Sequence, residues 1–254
     1  MKHSLIIDLG NTSVKYYVFA CEKYVCHAKI VIDDKSFLQT KSILSKMLEE
    51  KKLSASDFED AMLFSVVPSL NKTVQKFVSS VFKIQTKVFD IKVAKKLPDG
   101  VPNETGSDLL ADIYGGATFY GCPVLIADLG TVTKLILMGE NKELVGCSFM
   151  PGMDSSLKAM TRQTELLPKL RIEKPEHEIG VDTIGCMKSG VYYSTLAALK
   201  HFKVFAEQKY PKIKTVVTGG YSEVVKDDLG DMIYDPLLTA KGMNKIYLVL
   251  KKGI

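Results

Sequence analysis

The sequence predicts an α/β fold of two similar domains, each a mixed β-sheet flanked by helices. Three observations predict it. An Asp-x-Gly turn followed by threonine occurs twice, as Asp8-Leu9-Gly10-Asn11-Thr12 and as Asp128-Leu129-Gly130-Thr131, each closing a short apolar strand. The stretches around both copies follow one order, three strand-like runs and then helices alternating with strands. No low-complexity linker divides the chain, so the halves, taken as 1–115 and 116–254, are expected to pack tightly with the active site in the cleft between them.

The first strand is the apolar run 5–8, ending in Asp8. β-branched and aromatic residues dominate 13–20 and 24–31, giving two more strands, and Asp33-Asp34 end the run. Tight turns between consecutive strands imply an antiparallel meander. In 37–51, Phe37, Leu38, Ile43, Leu44, Met47 and Leu48 recur at helical spacing. Ser54-Ala55-Ser56-Asp57 reads as a turn or helix cap. Then come a buried strand at 61–67 closed by Pro68, an amphipathic helix at 69–82 and a strand at 87–93. Pro, Gly and Asn make 97–106 a loop, and a helix follows over 107–120.

The second half repeats the order. Strands are expected at 123–128, 131–138 and 143–149, the last two joined by the hairpin turn Gly139-Glu140-Asn141-Lys142. Pro151-Gly152 open a helical stretch to about 165, and Leu167-Pro168 end it. A polar segment at 171–182 leads to a long helix at 183–208, a strand at 214–217 and helices near 222–229 and 237–250.

Composition narrows the function class. With 46% hydrophobic and 25% charged residues, the chain has the make-up of a globular domain. No apolar run approaches the roughly 18–20 residues that span a bilayer. Met1-Lys2-His3-Ser4 run straight into the first strand and leave no room for a signal peptide, so a cytoplasmic protein is expected. The net charge of +5 comes from lysine, with Arg162 and Arg171 the only arginines, which argues for a solvated basic surface that draws anionic substrates rather than for a nucleic-acid partner. Five scattered cysteines and four histidines show no metal-ligand spacing, so buried or half-buried free thiols are expected.

The chemistry is concentrated at the turns. In Asp8 to Lys15 the Gly lets backbone N–H groups approach a phosphate, the Thr adds a donor, and Asp8 can hold Mg²⁺ directly or through water. The second copy at Asp128 to Thr131 suggests a duplicated nucleotide cradle. Lys15 either reaches a phosphate or lines the wet face of its strand. Asp108, after Gly106-Ser107 at a loop-to-helix junction, is either a general base or a helix cap. Asp112 lies one helical turn on, a reserve base or cation ligand, with a polar surface position as the plainer reading. Thr218-Gly219-Gly220 either approach the nucleotide or form only a tight turn.

These motifs in this order resemble those of type III pantothenate kinases, members of the actin-like, hexokinase-like phosphotransferase superfamily, whose domains are ribonuclease H-like. The resemblance runs nearly end to end, through Ser65-Val66-Val67-Pro68, Gly106-Ser107-Asp108, Asp128-Leu129-Gly130-Thr131-Val132-Thr133, Pro151-Gly152, Ile179-Gly180-Val181-Asp182-Thr183 and Thr218-Gly219-Gly220. It implies transfer of the ATP γ-phosphoryl group to pantothenate, the first step of coenzyme A synthesis, by a homodimer. It further implies that Asp8, Leu9, Gly10, Asn11, Thr12, Ser13, Val14 and Lys15 bind the phosphates of ATP and that Thr131 contacts ATP. Asp108 would be the base, Asp128 would bind a monovalent cation (K⁺ or NH₄⁺), and Gly106, Ser107, Asp108, Leu109 and Thr183 would meet pantothenate.

Two positions depart from the family pattern. Leu109 stands where an Arg is common, and Asp99, three residues before Pro102, where a Tyr is common. Leu cannot pair with the pantothenate carboxylate and Asp repels it. Arg162, beside the stretch 161–168, is the candidate to supply the cation. Two other readings stay open: a kinase of this fold for another small hydroxyl compound, and a non-catalytic nucleotide-binding regulator.

Overall fold

Strand order is the same in both sheets. The computed structural model of the chain describes residues 2–32, 36–93, 98–164 and 166–252. In the first sheet the antiparallel meander β1 (His3–Leu9), β2 (Ser13–Ala20) and β3 (Lys23–Val31) is extended by β4 (Phe58–Ser65), parallel to β1, and β5 (Thr86–Val88), giving the order β3-β2-β1-β4-β5. The crossovers are α1 (Ser36–Glu50) and α2 (Asn71–Phe82), followed by α3 (Ser107–Phe119). The second sheet contains β6 (Val124–Leu129), β7 (Val132–Met138), β8 (Leu144–Pro151), β9 (Lys214–Thr218) and β10 (Ile233–Tyr234) in the order β10-β9-β6-β7-β8. Its meander is again antiparallel, and β9 and β10 are again parallel. The intervening helices are α4 (Met153–Gln163), α5 (Thr183–Lys209) and α6 (Ser222–Val225), and α7 (Leu238–Lys251) closes the chain.

The described residues group into two compact units. One has the bounds Met1–Leu97, Pro102–Gly115 and Ala240–Ile254, the other Pro98–Val101 and Gly116–Thr239. α3 continues from the first into the second. The sequence reading kept 240–254 with the second half; in the structure α7 packs with the first unit, where Asn244 Nδ2 donates to Cys21 O (2.8 Å) and Tyr247 Oη to Asp60 Oδ1 (2.5 Å).

In each unit the two-residue period of the strands sorts the side chains. Leu5, Ile7 and Leu9 of β1 join Val14, Tyr16 and Val18 of β2 against Leu44 of α1 and Val74, Val78 and Phe82 of α2. Ala127 and Leu129 of β6 and Leu135 of β7 do the same against Leu157 of α4 and Tyr192 and Leu196 of α5. Asp8 and Lys15 in one sheet, and Asp128 and Lys134 in the other, are one residue out of phase and lie on the opposite faces.

Two elements differ from their expected form, and a third, β10, was not expected. The strand expected over 87–93 stops at Val88, because the Asp90 carboxylate accepts from Lys92 N (2.9 Å) and turns the backbone into a 3₁₀ segment, Ile91–Val93. The helix near 222–229 divides into α6 and the 3₁₀ turn Lys226–Asp228. β10, at two residues, is too short to show a period. Asp33-Asp34 lie outside the described residues.

Candidate active site

The first turn is a hairpin whose tip faces solvent. Gly10 N donates to Ser13 O (3.0 Å), which closes the loop and leaves Asn11 and Thr12 exposed. Asp8 and Lys15 are direct partners in the β1–β2 register, and Lys15 Nζ lies 3.0 Å from Asp8 Oδ2, with side chains 23% and 14% exposed for Lys and Asp. Lys29 follows in the same cross-strand row, opposite Lys15. The Lys29 residue is exposed, yet its ammonium is held below the usual lysine range, first by partial burial and then by the charge of Lys15, with Asp8 opposing. His27, two pairs further along, is lowered by burial and by both lysines. The row therefore holds more cation than anion, a charge excess that a bound phosphate relieves.

Two further motifs meet this turn within the same unit. Val66 N donates to Leu9 O (3.0 Å), and Ser65 Oγ accepts from Val67 N (3.1 Å), so the 65–68 segment lies beside the hairpin. A Cβ at Gly106 would lie 3.9 Å from Val66 Cγ1 and 2.7 Å from Asp108 Oδ1. Asp8–Lys15, Ser65–Pro68 and Gly106–Asp108, far apart in sequence, thus adjoin in a chain of contacts. Asp108 is half-buried in the first turn of α3, and Leu109 beside it is half-buried. Asp112 is fully buried, not on the surface as expected, because α3 is apolar around most of its circumference and buries that face too.

The second turn is more closed. Lys134 Nζ lies 2.7 Å from Asp128 Oδ2, both side chains only 10% exposed, and the two residues are direct partners in the β6–β7 register. Gly219, at φ +94°, brings the end of β9 against the turn: a Cβ there would collide with Asp128 Oδ1 and sit 2.5 Å from Leu129 N. Gly152 brings the N-terminus of α4 in from the other side. Its N–H donates to Thr131 O (3.0 Å), as does Ser155 Oγ (2.7 Å), and a Cβ would lie 2.7 Å from the same oxygen. Thr131 itself is exposed. Thr183 opens α5 and is exposed, after Asp182, which caps the helix by accepting from Gly185 N (2.6 Å).

Lys134 and Lys29 are absent from the sequence reading. The signal for Lys134 was a lone lysine in the apolar run Leu135-Ile136-Leu137, since a charge placed there must be paired. Arg162 is exposed and lines a cavity of about 300 Å³ with Leu157, Lys158, Thr161, Lys169 and Leu170. Cys21, Cys147 and Cys186 are exposed, against the buried position expected, because Cys21 sits on the β2–β3 turn and Cys147 on the edge strand β8. Among the described residues no three His, Cys, Asp or Glu side chains form a metal cluster.

Known proteins carry the same plan. A family model described as type III pantothenate kinase matches residues 4–203. A type III pantothenate kinase from Agathobacter rectalis is 30% identical over 249 residues, covering 96% of each chain. One from Finegoldia magna is 30% identical over 250 residues, covering 95% of each. The solved structure of component A of (R)-2-hydroxyglutaryl-CoA dehydratase from Acidaminococcus fermentans superposes with a TM-score of 0.54 at 12% identity over 100% of both chains, which shows the actin-like fold alone.

Proposed function

The chain belongs to the type III pantothenate kinase family, and from that premise we infer that it transfers the γ-phosphoryl group of ATP to the primary hydroxyl of pantothenate in coenzyme A biosynthesis. ATP and a divalent metal ion are the requirements of such a kinase. The observation that carries the phosphoryl-transfer reading is the recurrence, in two sheets of one strand order, of an Asp-x-Gly turn whose Asp is paired with a Lys across the hairpin.

Phosphoryl transfer needs positioning and charge neutralisation more than covalent chemistry from the protein. The exposed tip residues Asn11 and Thr12 and the Lys15 ammonium suit the phosphates, and Thr131 offers a hydroxyl at the second turn. Asp8 is the carboxylate for Mg²⁺, which, when bound, neutralises charge on the phosphates. Asp108 accepts the proton of the acceptor hydroxyl late, as the new bond to phosphorus forms, since an alcohol is too weak an acid to lose it earlier. Gly106, Ser107, Leu109 and Thr183 are the acceptor contacts by family position. Arg162, with Lys158 and Lys169 around its cavity, is the cation group we assign to the pantothenate carboxylate. The K⁺ or NH₄⁺ that resemblance implies at Asp128 meets a carboxylate already paired with Lys134.

The working form we propose is a homodimer in the cytoplasm. Supporting it, β8 is an edge strand with Phe149 62% exposed, beside Val132 at 46%. No helix among the described residues is long and apolar enough to cross a membrane.

A coupled ADP-release assay with ATP, Mg²⁺ and pantothenate tests the function. Turnover is expected with pantothenate and its abolition in Asp108→Asn, with ATP binding kept. Release only with a different hydroxyl compound would move the acceptor.

A further inference from the structure

We propose that the Lys134 ammonium is a built-in replacement for the monovalent cation at Asp128, so that this kinase works without K⁺ or NH₄⁺. The proposal rests on the reading of the second turn as part of the ATP site. Its basis is geometric. One carboxylate oxygen of Asp128, Oδ2, carries Lys134 Nζ at 2.7 Å, and the other, Oδ1, is approached so closely by Gly219 that a Cβ there would lie 2.3 Å from it. Both side chains of the pair are nine-tenths buried, so the ammonium is held in the protein interior, fixed by register between β6 and β7. A free cation would have to displace an ammonium tethered to the same sheet or share the carboxylate with it, and a second positive charge at that distance in a poorly solvated site is repelled.

The first sheet supplies an internal parallel. There Lys15 lies opposite Asp8 at the equivalent hairpin position, again as an ion pair. An ammonium delivered from the second strand of the meander is therefore a repeated device of this chain. What a cation at Asp128 would do is lower the negative potential beside the turn that receives the nucleotide, and an ammonium does the same without any entropic cost of recruiting an ion from solution.

The row around Asp128 also predicts what removal of the lysine would create. Thr218 is the partner of Asp128 on β9, and its hydroxyl is buried without a hydrogen-bond partner among the described residues. With Lys134 replaced by Thr, the row would offer a carboxylate and two hydroxyl oxygens around the vacated space, a set of hard oxygen ligands suited to K⁺.

The test compares wild type with Lys134→Thr in buffers of equal ionic strength, with K⁺, NH₄⁺ or the bulky tetramethylammonium as the only monovalent cation. ATP binding is read by calorimetry and unfolding by thermal denaturation. For wild type both readouts should change by less than about twofold in affinity among the three salts, and the midpoint should stay level. For Lys134→Thr, ATP binding should weaken by about tenfold or more in tetramethylammonium and recover in K⁺ or NH₄⁺, with a midpoint raised by K⁺ in the variant alone. Wild type that binds ATP only in K⁺, or a variant indifferent to the salt, would overturn the proposal. If Lys134→Thr does not fold, Lys134→Arg keeps the charge and should remain indifferent to K⁺; a K⁺-dependent Arg variant also refutes it. Absence of ATP binding in every salt would refute the nucleotide reading instead, and the unfolding midpoints would still report on Lys134.

Discussion

Replacing Gly152 by alanine isolates one steric feature of the second turn. Gly152 has φ −68°, a value any residue adopts, so the substitution adds no backbone strain. The whole penalty comes from the methyl group, which would overlap Gly130 O and lie 2.7 Å from Thr131 O and 2.9 Å from Thr131 C. These are backbone atoms of a turn tied at both ends, not the end of a flexible side chain. Overpacking of this kind costs about 1–3 kcal/mol. Weakening the 3.0 Å bond from Gly152 N to Thr131 O adds about 1 kcal/mol. The lower entropy of alanine in the unfolded chain returns about 0.4–1 kcal/mol. The net loss is about 1–3.5 kcal/mol, a fall in the melting temperature of roughly 2–14 °C for a chain of this size. Because the displaced atoms carry Thr131, the KM for ATP should rise as well. The control is Gly190→Ala, in the interior of α5, where a Cβ meets nothing within 4 Å and helix propensity should add about 1 kcal/mol of stability. Thermal denaturation and ADP-release kinetics read both. Equal melting temperatures for the two variants, with an unchanged KM for ATP, would refute the close approach of α4 to the turn.

Lys15→Met removes the ammonium that faces Asp8 and should weaken ATP binding by about tenfold in calorimetry, with no change if Lys15 only lines a wet strand face. Asp228 accepts from Lys174 and from Tyr192 Oη, and these two bonds, in that order, hold its carboxyl below the usual value of 3.8. Its depressed folded-state pKa contributes stability that is fully present above about pH 4 and lost as pH falls through the folded value, because only the unfolded chain then takes up the proton. Urea midpoints of Asp228→Asn should therefore fall less steeply than those of wild type between about pH 4 and pH 2. Phe149→Asp on the exposed edge strand should halve the mass seen by light scattering if β8 carries the dimer contact, while leaving the melting of a monomer intact.

The fold was legible because both meanders announce themselves in composition. β2 was placed residue for residue, since Ser13 to Ala20 alternate polar and apolar only until the run becomes wholly buried at Tyr16. The two Asp-x-Gly turns were legible for the same reason, as they interrupt apolar strands at a glycine. What stayed hidden depends on pairing between strands. Nothing near Lys134 in sequence marks it as the partner of Asp128; the hairpin register does. Lys29 enters the first cradle through two registers in succession, β1 with β2 and β2 with β3. The buried position of Asp112 depends on how much of α3 is covered, which a period within one helix does not reveal.

The cross-strand rows also separate the work of the two turns. From β3 to β4 the first row reads Lys29, Lys15, Asp8, Phe64; the corresponding row of the second sheet, from β8 to β9, reads Phe149, Lys134, Asp128, Thr218. Position for position the Lys–Asp pair is shared, but the first row carries a second lysine where the second has a phenylalanine. One row is left with a net positive charge and a partly open ion pair, the other is neutral and closed. Phosphate charge gains most where cation is in excess and still reached by solvent, which is at Asp8 to Lys15. The second turn, with its charges already cancelled and its backbone pressed between Gly152 and Gly219, is suited to holding hydrogen-bond groups in fixed positions. The two sheets are similar frames, and the phenylalanine in the second row where the first has a lysine divides attraction from placement.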